Sequence, residues 1–117
     1  MNEPYEIMLE ELGTGVRFSL REHGREVGHA YLYVLKNDLH DRPFGFMEDV
    51  FVDEGERGRG GGTLLTNAVI TEARRRSCYK LIGTSRFSRP RVHALYERLG
   101  FTKHGAEFRI DFAEEKT

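Results

Sequence analysis

A chain of 117 residues has room for one domain around a single hydrophobic core. Its 18 Lys and Arg against 19 Asp and Glu leave a net charge of −1, which excludes the strongly basic profile of a general nucleic-acid binder. With no apolar run near the roughly 20 residues that span a bilayer, and one cysteine, Cys78, no membrane partner and no internal disulfide framework are expected, and the setting is read as cytoplasmic.

The start, Met1-Asn2-Glu3-Pro4, lacks the basic and apolar stretches of a signal peptide. Tyr5, Ile7 and Leu9 then alternate with Glu6, Met8 and Glu10, and Val16, Phe18 and Leu20 with Arg17, Ser19 and Arg21, which predicts two strands. Gly13-Thr14-Gly15 and His23-Gly24 supply their turns. Val27–Leu35 is apolar on both faces and reads as a central third strand, the polar stretch Lys36–Pro43 as a loop, and about Phe46–Val52 as a fourth strand. The period then changes. Leu65, Ala68, Val69 and Ala73 fall on one helical face, Lys80–Ser85 is a short strand, and Val92, Leu95, Tyr96 and Leu99 form a second helical stripe. Ser88 is placed to cap that second helix, with Pro90 in its first turn and Gly100 as its stop. Phe108, Ile110 and Phe112 alternate as a last strand, and Ala113–Thr117 is a tail.

Between the fourth strand and the first helix lies Arg57-Gly58-Arg59-Gly60-Gly61-Gly62-Thr63. Glycines so dense before a helix are costly unless the backbone approaches something closely. The first amides of a helix lack internal partners and, with the helix dipole, form an anion site. Successive amides from Gly58 to Thr63, helped by Arg57 and Arg59, suit a phosphate or pyrophosphate. A phosphate-binding loop of the Gly-x4-Gly-Lys-Ser/Thr type fails because Gly61 stands where the lysine is needed. A dinucleotide fingerprint fails because its third glycine falls on Thr63, and the strands come first. Residues 57–98 are rich in arginine, with Glu72 and Glu97 their only acids, which fits a compact anionic ligand. For Arg74-Arg75-Arg76 a solvated helix end serves equally well.

The pattern that survives is R-x-x-G-x-G, on Arg57, Gly60 and Gly62. It is followed by Ser88-Arg89-Pro90-Arg91-Val92-His93-Ala94-Leu95-Tyr96-Glu97-Arg98-Leu99-Gly100-Phe101, which looks like a motif ending in L-Y-x-x-x-G-F. On these two motifs in register, over about residues 45–104, the chain resembles the GNAT superfamily of acetyl-CoA-dependent N-acetyltransferases. The resemblance implies an α/β fold: a mixed, mostly antiparallel sheet with flanking helices, whose fourth and fifth strands splay apart to admit CoA. It implies a single domain, with N-terminal strands in 1–44, an acetyl-CoA-binding core in 45–104, and a last strand and tail in 105–117. It also implies that Val50, Phe51 and Val52 meet the pantetheine arm, and that Gly58, Arg59, Gly60, Gly61, Gly62 and Thr63 wrap the pyrophosphate. Arg89 stands where many members carry Asn, so Ser88 is an alternative for that cofactor contact.

The implied activity is transfer of an acetyl group from acetyl-CoA to a primary amine of a small molecule, peptide or protein by direct attack, with no metal. Tyr96 is the phenol that would protonate the departing thiolate. Strand neighbours point to opposite faces, so only one of Glu48 and Asp49 can face the acceptor, and the resemblance, whose members often place a base carboxylate near this point, favours Glu48. A backbone N–H near Phe51 would hold the oxyanion. Met47-Glu48-Asp49-Val50 is similar to the I-E-D pattern of glucosamine-phosphate acetyltransferases within the superfamily, a lean toward an amino-sugar phosphate acceptor. The chain departs from the family in lacking its usual first two helices, since Leu12–Val16 leaves room only for a turn. An acceptor pocket that is open, or completed by a second subunit in a homodimer, follows. The alternative is a non-catalytic acyl-CoA-binding regulatory module. His23, His29, His40, His93 and His104 are scattered and predict no zinc site. His93 reads as a solvated or substrate-edge residue, and Cys78 as a small buried one.

Overall fold

The alternating runs of the first half form a meander in a computed structural model of the chain, which describes residues 4–12 and 14–113, the side chains of 11 and 12 excepted. Residues 1–3, Gly13 of the expected first turn and 114–117 of the expected tail lie outside the described residues. Strands β1 (Tyr5–Leu12), β2 (Gly15–Glu22), β3 (Arg25–Leu35), β4 (Phe44–Val52) and β5 (Leu81–Gly83) make one sheet in that order. The first four pair antiparallel and β5 joins β4 in parallel, so the sheet is mixed and mostly antiparallel. Leu12 pairs with Gly15, which confirms that only a tight turn joins β1 to β2. Strand β5 is three residues long, shorter than the expected Lys80–Ser85.

Helix α1 (Gly61–Arg75) lies against one face of this sheet. Leu65, Val69 and Ala73 of its apolar stripe are buried against Val16, Phe18, Leu20, Val27, Ala30, Leu32 and Met47. Each large aliphatic side chain in such a core stabilises the fold by about 1.5–3 kcal/mol. Gly61 permits the contact at the helix start, because a Cβ there would lie 2.7 Å from a Leu20 methyl. At the other end Glu72 is buried beneath Arg75 and Arg76, bonded to Arg75 Nε at 3.0 Å and to Arg76 Nε at 2.7 Å. Two of the three consecutive arginines are thus tied to their own helix rather than reserved for a ligand.

The chain divides into two compact units, Met1–Ser85 and Arg86–Thr117. The second contains helix α2 (Pro90–Arg98), whose Val92, Leu95, Tyr96 and Leu99 are half-buried. Its N-cap is Arg89, with Pro90 in the first turn and no side-chain cap. Ser88 is therefore not the cap: the Pro90 ring fixes where the helix begins, one residue further on. Gly100 stops the helix at φ 106°, while the Phe101 amide bonds the Tyr96 carbonyl at 3.0 Å.

The last strand does not form. Residues 102–111 carry no regular element, and Phe108, Ile110 and Phe112 are 94%, 77% and 94% exposed. Alternation marks a face a strand would bury; the ladder still needs a partner's backbone, and none of the described pairings includes this segment. No described helix is long and apolar enough to cross a membrane.

Candidate active site

Strands β4 and β5 pair only at Gly45, Phe46 and Met47. Strand β4 continues to Val52, so from Glu48 onward its β5-facing edge has no strand partner among the described residues. Val50 and Val52 are half-buried there and Phe51 is 40% exposed. Such an edge offers a row of amides and carbonyls to an extended amide-bearing ligand.

The glycine turn leaves this strand end through a short 3-10 turn, Glu54–Glu56. Gly58 (φ 82°) and Gly60 (φ 86°) are both left-handed, a conformation that strains any other residue. A Cβ at either would meet no protein atom within 4 Å, so both glycines line open space. Gly60 is the N-cap of α1 and makes no side-chain cap bond; the first intrahelical bond runs from Leu64 N–H to Gly60 O at 3.0 Å. The amides of Gly61 and Gly62 therefore precede the intrahelical ladder, and with the dipole they suit an anion.

The two arginines of the turn differ. Arg57 donates through Nε to Val52 O at 2.9 Å and lies 5.5 Å from the Phe51 ring centre, which ties the turn to the end of β4. Arg59 pairs with Glu22 at 3.0 Å and with Glu56, and stacks over Tyr5 at 5.6 Å. Its charge is already matched by two acids, which bury against it (12% and 15% exposed) because β2 ends beside the turn.

The sheet face opposite α1 carries the second set of groups. Opposite Ala30, β4 holds two residues, Asp49 and Val50, since His29 pairs with Phe51 and Tyr31 with Glu48. This is a β-bulge, and Asp49 adopts φ 52° to make it. The expectation that Glu48 and Asp49 point to opposite faces fails here, because a bulge breaks the alternation it assumed. Glu48 shares the face of its partner Tyr31, and Asp49 reaches the same face, its Oδ2 2.9 Å from His29 Nε2. Burial raises the Tyr33 phenol, and the nearby charges of Glu48 and Asp49 raise it further.

Around them runs an ordered polar and aromatic network. His29 stacks on Phe51 (centroids 5.4 Å apart) and meets Tyr31 edge-on at 5.8 Å, while Tyr31 stacks on Tyr33 at 6.1 Å. Arg17 holds Glu26 through two bonds of 2.8 Å and also donates to Ser19 and Tyr31. The Arg17 bonds set the Glu26 carboxyl to about 2. Sequence spacing could not find this cluster: His29 and Asp49 are 20 residues apart and meet only through strand register.

In the second unit Tyr96 packs on Phe101 with ring centres 5.2 Å apart, and burial raises its phenol, which keeps it protonated at neutral pH. His93 is not simply solvated: its Nε2 lies 2.8 Å from Arg86 O. Ser88 and Arg89 are exposed just before α2. Burial also pushes the Cys78 thiol up, unsuited to a nucleophile. Among the described residues no group of three or more His, Cys, Asp or Glu side chains could hold a metal.

Residues 2–101 match the family described as acetyltransferase (GNAT). The chain is similar to a glucosamine 6-phosphate N-acetyltransferase of Trypanosoma brucei brucei, 39% identical over 90 residues, covering 75% of this chain and 58% of the relative. It is 35% identical over 68 residues to a probable glucosamine 6-phosphate N-acetyltransferase 2 of Oryza sativa subsp. japonica, covering 58% of this chain and 39% of that protein. Among solved structures, a putative acetyltransferase from Agrobacterium tumefaciens superposes with a TM-score of 0.80 at 33% identity, over 86% of this chain and 70% of that one. The chain thus spans about two-fifths to three-fifths of the length of these two curated relatives.

Proposed function

The chain belongs to the GNAT acetyltransferase family, and from that premise we propose that it transfers the acetyl group of acetyl-CoA to a primary amine by direct attack. The observation that carries the reading is the pairing of a parted strand edge with an open glycine turn at one end of β4. The pantetheine arm extends along Val50, Phe51 and Val52, and the pyrophosphate rests on the amides of Gly58 to Thr63 with Arg57 beside it. The open space at Gly58 and Gly60 fits that ligand, since any side chain there would fill it. Arg59 serves the site indirectly, by holding the turn to Glu22 and Glu56. Ser88 or Arg89 supplies a further contact to CoA.

The chemistry divides among few groups. A backbone N–H near Phe51 stabilises the oxyanion that forms as the amine adds to the thioester carbonyl. The Tyr96 phenol, kept protonated by burial, gives its proton to the leaving thiolate. The acceptor arrives as an ammonium and must lose a proton before it can attack. The exposed Glu48 carboxylate draws it in, and a base on the same sheet face takes the proton. An amino-sugar phosphate is one acceptor to test, since the curated relatives are named for it and the Glu48-Asp49 pair fits their pattern. The tight β1–β2 turn leaves the acceptor side uncovered. A homodimer is part of the proposal, as is a cytoplasmic setting that keeps the lone Cys78 reduced.

Calorimetry with acetyl-CoA, using ATP and NAD as controls, tests the reading. Acetyl-CoA alone is expected to bind in the micromolar range, and Gly60→Glu to abolish binding by setting a negative side chain against the pyrophosphate. Binding by wild type with thiol release on adding amines supports a transferase. Binding without release from any amine supports the regulatory module, and unchanged affinity in Gly60→Glu removes the glycine turn from the site.

A further inference from the structure

Direct attack needs a group that takes a proton from an ammonium, and the conjugate acid of an ordinary carboxylate is far more acidic than an ammonium. An imidazole lies between the two and is the better-matched acceptor. One imidazole stands on the sheet face where Glu48 and Asp49 emerge. His29 is largely buried, its side chain 21% exposed, and three contacts fix its ring: Asp49 at Nε2, the Phe51 ring below, and Tyr31 at the edge. Its Nδ1 lies 3.8 Å from Glu26 Oε2, too long for a hydrogen bond but close enough for charge.

We propose that His29 is the proton acceptor of the transfer, with Asp49 as the positioning residue that fixes its tautomer. This rests on the transferase reading above. At 2.9 Å a proton must lie between Nε2 and the Asp49 carboxylate, so neutral His29 carries its hydrogen on Nε2 and leaves the Nδ1 lone pair vacant. The N–H bond of the acceptor ammonium breaks and an N–H bond forms at Nδ1, directly or through one bridging water. The amine is left with the lone pair that attacks the thioester carbonyl. The imidazolium so formed stands between two carboxylates, Asp49 on β4 and Glu26 on β3. Arg17 of β2 holds Glu26 in place. After the thiolate leaves with a proton from Tyr96, the amide nitrogen's remaining excess proton and that of His29 pass to solvent and to the phenolate, and all groups return to their starting charge.

The backbone carries an independent sign of purpose. Asp49 is a non-glycine residue at φ 52° inside a strand, and that conformation breaks the alternation and turns its carboxylate to His29. Strained positions of this kind are retained where they position something. Gly28, next to His29, has a matching requirement, since a Cβ there would come within 2.7 Å of Phe51 O and push β3 away from the bulge. Glu48 keeps the part of attracting the ammonium, with Tyr33 behind it.

The test compares wild type, His29→Ala and Asp49→Asn by acetyl-CoA calorimetry and by the pH profile of thiol release with a primary amine. His29→Ala is expected to bind acetyl-CoA as wild type does, to lose about 100-fold or more in kcat, and to lose the acid-side fall of the profile. Added imidazole should restore part of the rate. Asp49→Asn should lower kcat with the acetyl-CoA affinity unchanged, because an amide at that place can hold the wrong tautomer. Wild-type turnover with an unaltered rate and profile in His29→Ala overturns the pair while leaving the transferase reading intact. A wild type that binds acetyl-CoA but releases no thiol with any amine overturns both.

Discussion

Tyr96 illustrates how much one residue can carry. Burial raises its phenol, and packing against Phe101 fixes its ring. Tyr96→Phe keeps the ring and removes the hydroxyl that carries the proton. Turnover is therefore expected to fall by about 10- to 100-fold, at the lower end of what a general acid contributes, with acetyl-CoA affinity within a few-fold of wild type. Steady-state thiol release beside calorimetry checks this; an unaltered rate removes Tyr96 from the mechanism. Arg57 and Arg59 sit two positions apart in one motif, yet one braces the strand end and the other is neutralised by Glu22 and Glu56. The sequence told that both are cationic and near the turn. It could not tell which acids fold back to meet them, because Glu22 is 37 residues away from Arg59.

At the scale of elements, the half-buried Glu26 ties β3 to β2 and the buried Glu72 braces the end of α1. Glu26 is held at about 2 by Arg17, and Glu72 at about 2 by Arg75 and then Arg76, each from an ordinary value of 4.5. A carboxyl whose folded value lies below its unfolded one stabilises the fold above the unfolded value and loses that stabilisation as pH falls toward the folded one. Stability is therefore expected to decline between about pH 4.5 and about pH 2. Glu72→Gln should remove its share of that decline and cost about 1–2 kcal/mol near neutral pH, after discounting for the exposure of Arg75. Urea midpoints across pH measure both; an acid limb of equal depth in Glu72→Gln would contradict the assignment. The elements themselves were largely legible: four strands, the α1 stripe, the α2 stripe and the Gly100 stop all follow from period and from turn chemistry. The bulge at Asp49 and the missing last strand were not. Alternation reports which side chains would share a face, and says nothing of whether a partner backbone is there to pair.

For the whole molecule, β4 and β5 part after Met47 and Leu12 pairs with Gly15, so that among the described residues no helix follows β1 to cover the proposed acceptor side. The apolar side chains of Phe108, Ile110 and Phe112, all highly exposed, add a further surface in the second unit. Both fit the homodimer proposed above. Light scattering across micromolar concentrations is expected to give the mass of a dimer, and a monomer throughout that range would refute the proposal.

The sequence by itself determined the family, the order of elements, the glycine turn and the tyrosine motif. These are local properties: helix and strand periods, the freedom of glycine at positive φ and the spacing of a motif are written in neighbouring residues. The tertiary structure alone decided that β4 and β5 part after Met47, that Arg59 is spent on Glu22 and Glu56, and that His29 meets Asp49. Each of those depends on strand register, which is set by pairing and packing across the whole sheet, and a single bulged residue is enough to change which side chains meet.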